Sequence, residues 1–229
     1  MIAYTVACYF GDRRVKDQAY IDNPMDYINH QVIQLTKLKT TLISNIIFVI
    51  NGEPRAAIIP SQINDIDVRV YYRDNIGMSY GAWDYAYQRT KGEYDSYFLM
   101  EDDYIPLIDN FDDAFYSFME GDIGYVCSFM RDGHGAISNG LVKASALNTI
   151  GGVPYAKDVN YGHNEQQGQW KFGRELLKNN IGMTDVTSMY EVPFVNHAGH
   201  FLYYGNTEGP RIMSPTILER KSLIHDSII

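Results

Sequence analysis

Four runs of apolar residues mark the first half of the chain, and polar residues follow each of them. These runs predict strands over 2–9, 46–50, 68–72 and 97–100. The second run contains no polar position, which is typical of a strand covered on both faces of a sheet. Helical stripes lie between the runs, so strand and helix alternate. This alternation predicts an α/β fold with a mostly parallel central sheet flanked by helices.

Two of these helical stripes are well defined. The first helix is predicted to follow a cap at Asp22 or Asn23, with Pro24 in its first turn. Its apolar face consists of Ile28, Val32, Leu35, Leu38 and Leu42. The second helix is predicted to be capped by Ser79. Its inward stripe consists of Ala82, Trp83, Ala86 and Tyr87, which places Trp83 in the core.

The second half of the chain has a less regular pattern. It predicts a short helix over 111–119, a strand over 124–129, a short helix over 141–150 and a longer helix over 165–177. After a further strand near Tyr190, we expect a loop-rich C-terminal part.

Composition and charge narrow the class of protein. The chain has 229 residues with 19 Lys and Arg against 28 Asp and Glu, a formal net charge of −9, so nucleic acid is not an expected partner. The two cysteines, Cys8 and Cys127, lie far apart, which indicates a reducing compartment. Since no apolar run approaches the roughly 20 residues that span a bilayer, no transmembrane segment is expected. These features predict a cytoplasmic protein.

Three adjacent carboxylates, Glu101, Asp102 and Asp103, directly follow the fourth predicted strand. They repel one another, so they form either a solvated acidic turn or a site for a hard divalent cation. Asn51 and the segment 73–77 also come directly after predicted strands. Because parallel strands end at the same edge of a sheet, these polar groups are expected to converge there.

These motifs resemble those of glycosyltransferases with the A-type (GT-A, Rossmann-like) fold, which include family 2. The matching features are Asn-Gly after the second strand, Arg-x-Asn-x-Gly-x-Ser-x-Gly-Ala-Trp-Asp over 73–84, and Glu-Asp-Asp after the fourth strand. The last stands where the family has its DxD motif. The similarity is strong over 46–106 and weaker over 1–10. It implies a single domain in which 1–106 bind the nucleotide sugar and 107–229 bind the acceptor.

The resemblance also implies a metal site and contacts to the donor sugar. Asp103 would bind the Mn²⁺ or Mg²⁺ that bridges the diphosphate of a nucleoside-diphosphate sugar. Asp102 or Glu101 would contact the ribose or the sugar. Tyr9 and Asn51 would border the nucleobase, although family members commonly have Asp in place of this Asn.

Three further residues would line the nucleotide or the donor sugar: Arg73, Ser79 and Asp84. For Arg73, the alternative is a surface salt bridge with Asp74 or an interaction with a helix dipole. Nothing in the sequence separates UDP-, GDP- and dTDP-sugars as the donor.

Transfer to a hydroxyl acceptor also requires a base, and Glu165 is the candidate. Its alternative role is that of an ordinary acid in the first turn of a helix, and Asp158 is the second candidate for the base. In the late loop, His197 is the candidate second ligand of the cation, with His200 beside it. His134 lies in a glycine-flanked loop that either closes over the acceptor or is a simple turn.

The sequence therefore predicts a metal-dependent glycosyltransferase that moves a sugar to a glycan or other hydroxyl acceptor, with inversion and a carboxylate base. One alternative is a sugar-1-phosphate nucleotidyltransferase. Such enzymes carry a glycine-rich basic loop after the first strand, whereas 10–14 contain one glycine. The other alternative is a non-catalytic module that binds a nucleotide or a glycan.

Overall fold

A computed structural model describes residues 1–10, 24–52, 58–102, 104–106, 108–127, 139–186 and 195–197. The strands are β1 (Ile2–Phe10), β2 (Ile43–Gly52), β3 (Gln62–Ile63), β4 (Ile66–Arg73), β5 (Ser96–Glu101), β6 (Tyr104–Pro106), β7 (Ile123–Cys127), β8 (Gly140–Lys143), β9 (Gly182–Asp185) and β10 (Val195–His197). The helices are α1 (Pro24–Lys37), α2 (Met78–Arg89), α3 (Phe111–Tyr116), α4 (Ala144–Ile150), α5 (Tyr161–Asn164) and α6 (Lys171–Lys178), with a π-helical segment, Glu165–Trp170, between the last two.

An eight-stranded sheet in the order β3-β4-β2-β1-β5-β8-β7-β9 forms the centre of the fold. Strands β4, β2, β1 and β5 run parallel to one another, and β9 runs parallel to β7. Strand β8 is antiparallel to both β5 and β7. Strands β6 and β10 form a separate antiparallel pair. The predicted fold class, a mostly parallel sheet flanked by helices, is confirmed.

Apolar layers cover both faces of this sheet. Along β1, Tyr4 and Val6 contribute to one buried cluster, which α1 and α3 cover. The alternate residues Ala3 and Ala7 contribute to a second cluster, which includes residues of α2, α4 and α6. Since successive strand residues point to opposite faces, a continuous apolar run is what a sheet covered on both sides requires.

Trp83 shows how α2 is fixed to the sheet. Its side chain is buried, its ring packs edge-on against Tyr80 with centroids 4.9 Å apart, and its Nε1 donates to the carbonyl of Met100 at 3.0 Å. The prediction that Trp83 belongs to the core is confirmed.

The predicted helix over 141–150 is wrong in its first positions. Residues Leu141 and Val142 are fully buried in β8, where they pair with β5 and β7, and the helix begins only at Ala144. A short apolar run is compatible with a helix or a strand. Here it forms a strand because it hydrogen-bonds to β5 on one side and to β7 on the other.

Other boundaries differ as well. The first helix ends at Lys37 rather than near Leu42, and the helical region predicted over 165–177 begins earlier, at Tyr161. The strands β3, β6, β9 and β10 were not predicted, and β10 places His197 in a strand rather than in the expected loop. The strand expected near Tyr190 and the C-terminal loops lie outside the described residues.

Ser79 does not cap α2. The helix begins one residue earlier, after Gly77, whose φ of 76° lies in the left-handed region, and no side chain caps its first turn. A side chain on Gly77 would also collide with the ring of Tyr155, so this turn needs glycine for two reasons. The Ser79 hydroxyl is thereby left for the neighbouring strand end.

We find no helix of sufficient length and hydrophobicity to cross a membrane in the described parts of the chain.

Candidate functional site

The parallel strands β1, β2, β4 and β5 end at one edge of the sheet and bring five of the predicted site residues together. Tyr9 pairs in register with Asn51, and Asn51 pairs with Arg73. On the other side of β1, Glu101 lies opposite Ala7, and Asp102 follows it. We call Tyr9, Asn51, Arg73, Glu101 and Asp102 the acidic edge.

Arg73 joins two neighbouring backbone segments at this edge. Its Nη1 donates to Asn51 Oδ1 at 3.0 Å, and its Nη2 donates to the carbonyl of Ile76 at 2.6 Å. The guanidinium also lies 5.6 Å from the centre of the Tyr85 ring. Burial lowers the pKa of Arg73, but an arginine keeps its charge. Its hydrogen bonds thus go to Asn51 and Ile76 and not to Asp74.

Glu101 is held through both its side chain and its backbone. Ser79 Oγ donates to Glu101 Oε1 at 2.9 Å, which explains why Ser79 does not cap its own helix. The backbone N–H of Glu101 donates to Oδ1 of Asn139 at 2.5 Å, and Asn139 is fully buried. A half-buried carboxylate is therefore fixed at the strand end with one oxygen bonded to a hydroxyl.

Asp102 connects β1 to β5. The residue is 7% exposed, its N–H donates to the carbonyl of Ala7 at 3.1 Å, and its Oδ2 accepts the N–H of Tyr9 at 3.2 Å. An aspartate bonded in this way holds the backbone that carries Tyr9.

Gln31 on α1 was not among the predicted site residues, yet it holds the backbone of the acidic turn. Its fully buried Nε2 donates to the carbonyls of Glu101 (3.2 Å), Asp102 (3.1 Å) and Tyr104, while its Oε1 accepts the hydroxyl of Tyr4 at 3.2 Å. The sequence contained a signal for this role. Gln31 is a polar residue three positions after Ile28, on the apolar face of the helix.

The third carboxylate, Asp103, lies outside the described residues, as do His134 and His200. Strand β10 places the backbone of His197 opposite Tyr104, the residue after Asp103. No group of three or more His, Cys, Asp or Glu able to hold a metal ion occurs among the residues that the structure describes. Glu101 and Asp102 nevertheless supply carboxylate oxygens, the donors that Mg²⁺ and Mn²⁺ prefer.

Asp84 lies farther along α2, where it contacts a turn rather than the strand ends. Its Oδ1 accepts the N–H of Val153 at 3.0 Å and Nε2 of Gln88 at 3.2 Å. Burial raises the pKa of Asp84 from 3.8, and these two hydrogen bonds and the charge of Arg73 oppose that shift. The structure thus gives Asp84 a bracing contact between α2 and the residues that follow α4.

Those residues, 151–170, pack against the start of α2, and we call them the docked segment. The carbonyl of Asp158 accepts the N–H of Gly77 at 3.1 Å. At its other end, Gly168 lies so close to Tyr80 that an added Cβ would stand 2.7 Å from the ring. These contacts bring the docked segment to the same helix end from which Ser79 reaches Glu101.

Glu165, the predicted base, lies in the π-helical part of the docked segment. Its side chain is half-buried, and within the described residues no hydrogen bond or ion pair engages its carboxylate. π-Helical turns are rare in proteins, and those that occur are often found at functional sites. Such a carboxylate is chemically able to accept a proton from a ligand.

Three buried amide atoms near this region have no hydrogen-bond partner in the described part of the molecule: Asn75 Oδ1, Asn139 Nδ2 and Asn164 Oδ1. Buried polar atoms are rarely left unbonded. Asn139 contacts Glu101, and Asn164 contacts the carbonyl of Asp158 at 2.9 Å. Unused hydrogen-bonding capacity is thus present beside the acidic edge and in the docked segment, as it also is at Thr5, Asn45 and Asp112 elsewhere in the described residues.

No protein-family model matches the chain, and no curated protein matches its sequence. Among solved structures, a Bacillus anthracis protein described as a glucose-1-phosphate thymidylyltransferase, in complex with a sucrose, has a TM-score of 0.55 at 11% identity. The match covers 100% of this chain and 97% of that one. S. aureus TarS has a TM-score of 0.51 at 10% identity, over 81% of this chain and 35% of that one.

The catalytic domain of Drosophila β1,4-galactosyltransferase 7, in complex with xylobiose, has a TM-score of 0.48 at 11% identity, over 86% of this chain and 69% of that one. At such identities, the two likenesses with TM-scores above 0.5 show a fold and nothing further. It is the mixed α/β, Rossmann-like fold of GT-A-like glycosyltransferases and nucleotidyltransferases, as the sequence predicts.

Proposed function

We propose that this chain is a metal-dependent glycosyltransferase that moves a sugar from a nucleoside-diphosphate sugar to a glycan or other hydroxyl acceptor. The observation that carries the proposal is the acidic edge itself. Glu101 and Asp102, fixed by Ser79 and Tyr9, lie on the same edge of the sheet as Asn51 and Arg73, at the carboxyl ends of parallel strands. This is where ligands bind in open α/β sheets.

The electrostatics of this edge favour a diphosphate bound together with a cation. A chain of net charge −9 with adjacent carboxylates at the site would repel a free diphosphate. Asp103 and His197 would hold Mn²⁺ or Mg²⁺, and the Glu-Asp-Asp triplet would serve as a DxD motif. Bound there, the ion would neutralise charge on the leaving diphosphate. The strand pairing of His197 with Tyr104 supports this assignment.

The donor would lie across the carboxyl ends of the neighbouring strands β1, β2 and β4, where Tyr9 pairs with Asn51 and Asn51 pairs with Arg73. Tyr9 and Asn51 would border the nucleobase, and Arg73 with Ser79 would line the nucleotide. Glu101 and Asp102 would contact the ribose or the sugar. Asp84 accepts the N–H of Val153 through Oδ1, so its Oδ2 would be the atom that lines the donor side. Alternatively, Asp84 would act on the donor site only by holding the turn at Val153 in place.

The acceptor would lie against the docked segment, with Glu165 as the base for an inverting transfer. In this arrangement residues 1–106 supply the donor site and 107–229 the acceptor site of one domain. The Glu165 carboxylate supports the assignment because no hydrogen bond or ion pair engages it within the described residues, and a base must be able to take the hydroxyl proton.

A matched pair of variants tests the base. Glu165→Gln removes the proton acceptor but keeps size and shape. Glu175→Gln changes an acid on α6, outside the docked segment, that pairs with Lys178. We expect Glu165→Gln to lose transfer by about 100-fold or more while donor binding is retained, and Glu175→Gln to behave as the wild type. Normal turnover of Glu165→Gln would remove it from this role.

Calorimetry tests the metal. We expect Mn²⁺ or Mg²⁺ to strengthen binding of UDP, GDP or dTDP, and Asp103→Asn to abolish the enhancement. Binding of the nucleotide that is equally tight with and without the metal would contradict the metal assignment.

A sugar-1-phosphate nucleotidyltransferase is the second candidate, because the likeness to the thymidylyltransferase described above covers the whole chain. The products separate the two functions. A glycosyltransferase releases a nucleoside diphosphate from a nucleotide sugar, whereas a nucleotidyltransferase releases pyrophosphate from a nucleoside triphosphate and a sugar phosphate. A non-catalytic module would release neither.

A further inference from the structure

A carboxylate and an imidazole form a close pair in the docked segment. Asp158 Oδ2 and His163 Nδ1 are 2.8 Å apart, with the two side chains 48% and 64% exposed. Asp158 Oδ1 accepts the N–H of Asn160 at 2.9 Å, and Asn160 Oδ1 accepts the N–H of His163 at 3.1 Å. Both partners are therefore fixed by the turn that carries them.

The pair determines which nitrogen of His163 carries the proton. The hydrogen bond from His163, and then that from the backbone of Asn160, lower the pKa of Asp158, so its carboxyl group is ionised. An ionised carboxylate can only accept hydrogen bonds, so Nδ1 of His163 must be the donor. In the neutral imidazole, Nε2 then carries a lone pair directed away from the carboxylate.

The same turn is attached to the donor side of the site. The carbonyl of Asp158 accepts the N–H of Gly77, two residues before Ser79, whose hydroxyl donates to Glu101. Asn164, next to His163, is 3% exposed and donates to the carbonyls of Asp158 and Asn160. Its Oδ1 is one of the buried atoms without a partner among the described residues.

We propose that the Asp158–His163 pair binds a hydroxyl group of the acceptor sugar, with Nε2 of His163 accepting the hydrogen bond. This inference rests on the proposed glycosyltransferase function and names a contact to its acceptor. The turn presents a lone pair and a carboxylate, both of which accept hydrogen bonds, so its complement is a ligand rich in O–H donors, such as a sugar. In the proposed transfer, Glu165 takes the proton of the attacking hydroxyl, and His163 binds another hydroxyl of the same acceptor.

The test combines nitrogen NMR of the histidines with steady-state kinetics. The probes are the methyl glycosides of xylose, glucose, galactose and N-acetylglucosamine, each added with UDP and Mg²⁺. The signals of His163 are assigned by their absence from the spectrum of His163→Gln. We expect the wild type to show the proton on Nδ1, and at least one glycoside to shift the Nε2 resonance.

Variants show whether His163 binds the acceptor or only stabilises the turn that carries it. With a nucleotide-sugar donor, we expect His163→Leu to raise the KM of the acceptor about tenfold with little change in kcat or in the KM of the donor. His163→Gln should restore part of the affinity, because its carbonyl can accept the same bond. Asp158→Ala should weaken acceptor binding by freeing the proton from Nδ1. Asn160→Ser should not, because the serine hydroxyl can still accept the N–H of His163 and the backbone N–H of residue 160 is kept.

The outcomes divide cleanly. If no glycoside shifts His163, or if His163→Leu keeps the wild-type KM for the acceptor, the inference is wrong even where sugar transfer is observed. If no nucleotide sugar is turned over, the proposed function fails, and the NMR titration still decides whether His163 binds a sugar hydroxyl.

Discussion

The acidic edge and the docked segment face the same helix end but are built by different means. Residues of the acidic edge stand at the ends of paired strands, where the hydrogen-bond ladder fixes their positions. The docked segment lies outside the sheet and is held by a few contacts, such as that of Gly168 with Tyr80. The acidic edge is therefore held by the hydrogen bonds between strands, and the docked segment is held by its packing against α2.

The carboxylates of the acidic edge also differ from that of Glu165 in the docked segment. At the acidic edge, Glu101 is bonded to Ser79, and Asp102 to the N–H of Tyr9. In the docked segment, Glu165 has no such bond within the described residues. The comparison indicates that the two carboxylates of the edge are held in place by hydrogen bonds, while the docked segment carries one carboxylate that no such bond engages among the described residues.

Replacing Gln31 should have the largest effect. Gln31→Met keeps the volume but leaves the carbonyls of Glu101, Asp102 and Tyr104 without their shared donor. Buried acceptors that lose their partners cost about 1–3 kcal/mol, so we expect a loss of about 3 kcal/mol in the free energy of unfolding. Urea denaturation measures it, and calorimetry should show weaker nucleotide binding in the folded variant.

Gln34 provides the matched control for this variant. It lies three positions later on α1, is half-buried, and donates to one carbonyl, that of Pro106, at 2.9 Å. Gln34→Met should therefore cost only about 1 kcal/mol and leave nucleotide binding unchanged. Equal losses in the two variants would show that Gln31 has no special part in holding the acidic turn.

Gly168 tests the attachment of the docked segment. A Cβ at this position would lie 2.7 Å from the ring of Tyr80, which is packed against Trp83 and cannot easily move away. We expect Gly168→Ala to cost about 2 kcal/mol in thermal or urea unfolding, the typical penalty for overpacking.

Gly162 lies in the same segment and is exposed, and a Cβ added to it would stand 3.5 Å from Asn160 Oδ1, an ordinary contact distance. Since alanine fits there and favours a helix, Gly162→Ala should be neutral or stabilise by about 0.5 kcal/mol. A harmless Gly168→Ala would mean that the docked segment is not held against α2 as described.

The contrast between the two parts also explains what the sequence could predict. Strand runs followed by polar residues predict a shared edge, because parallel strands must end together, and the register of Tyr9, Asn51 and Arg73 bears out that convergence. The likeness to GT-A-like folds confirms the fold class as well. Periodicity alone was sufficient for this part.

The missed features depend on contacts between distant segments. The pattern around Ser79 fits a helix cap, but the hydroxyl is used by Glu101, which is 22 residues away in sequence. Gln31 interrupts an apolar face of its helix, and the reason is a turn about 70 residues away in sequence that its side chain holds. The short apolar run at Leu141 forms a strand because it pairs with β5 and β7, which are distant from it in sequence.

Arg73→Lys should have a moderate effect on the acidic edge. Lysine keeps the positive charge but cannot reach Asn51 Oδ1 and the carbonyl of Ile76 with a planar fork. We expect a loss of about 1 kcal/mol in the free energy of unfolding and weaker nucleotide binding by calorimetry. If the charge of Arg73 alone matters, the lysine variant will bind nucleotide as the wild type does.

Asp84→Asn should have the smallest effect, and its sign depends on pH. Burial raises the pKa of Asp84 above 3.8 in the folded state, so the folded protein binds this proton more tightly than the unfolded chain. The wild type therefore loses stability as the pH rises from 3.8 through the raised pKa. Asparagine avoids that loss, and its carbonyl can still accept from Val153 and Gln88. We expect Asp84→Asn to be more stable at neutral pH by up to about 1 kcal/mol, with the advantage shrinking on acidification. An advantage that instead grows as the pH falls would show that the ionised carboxylate stabilises the contact between α2 and the docked segment.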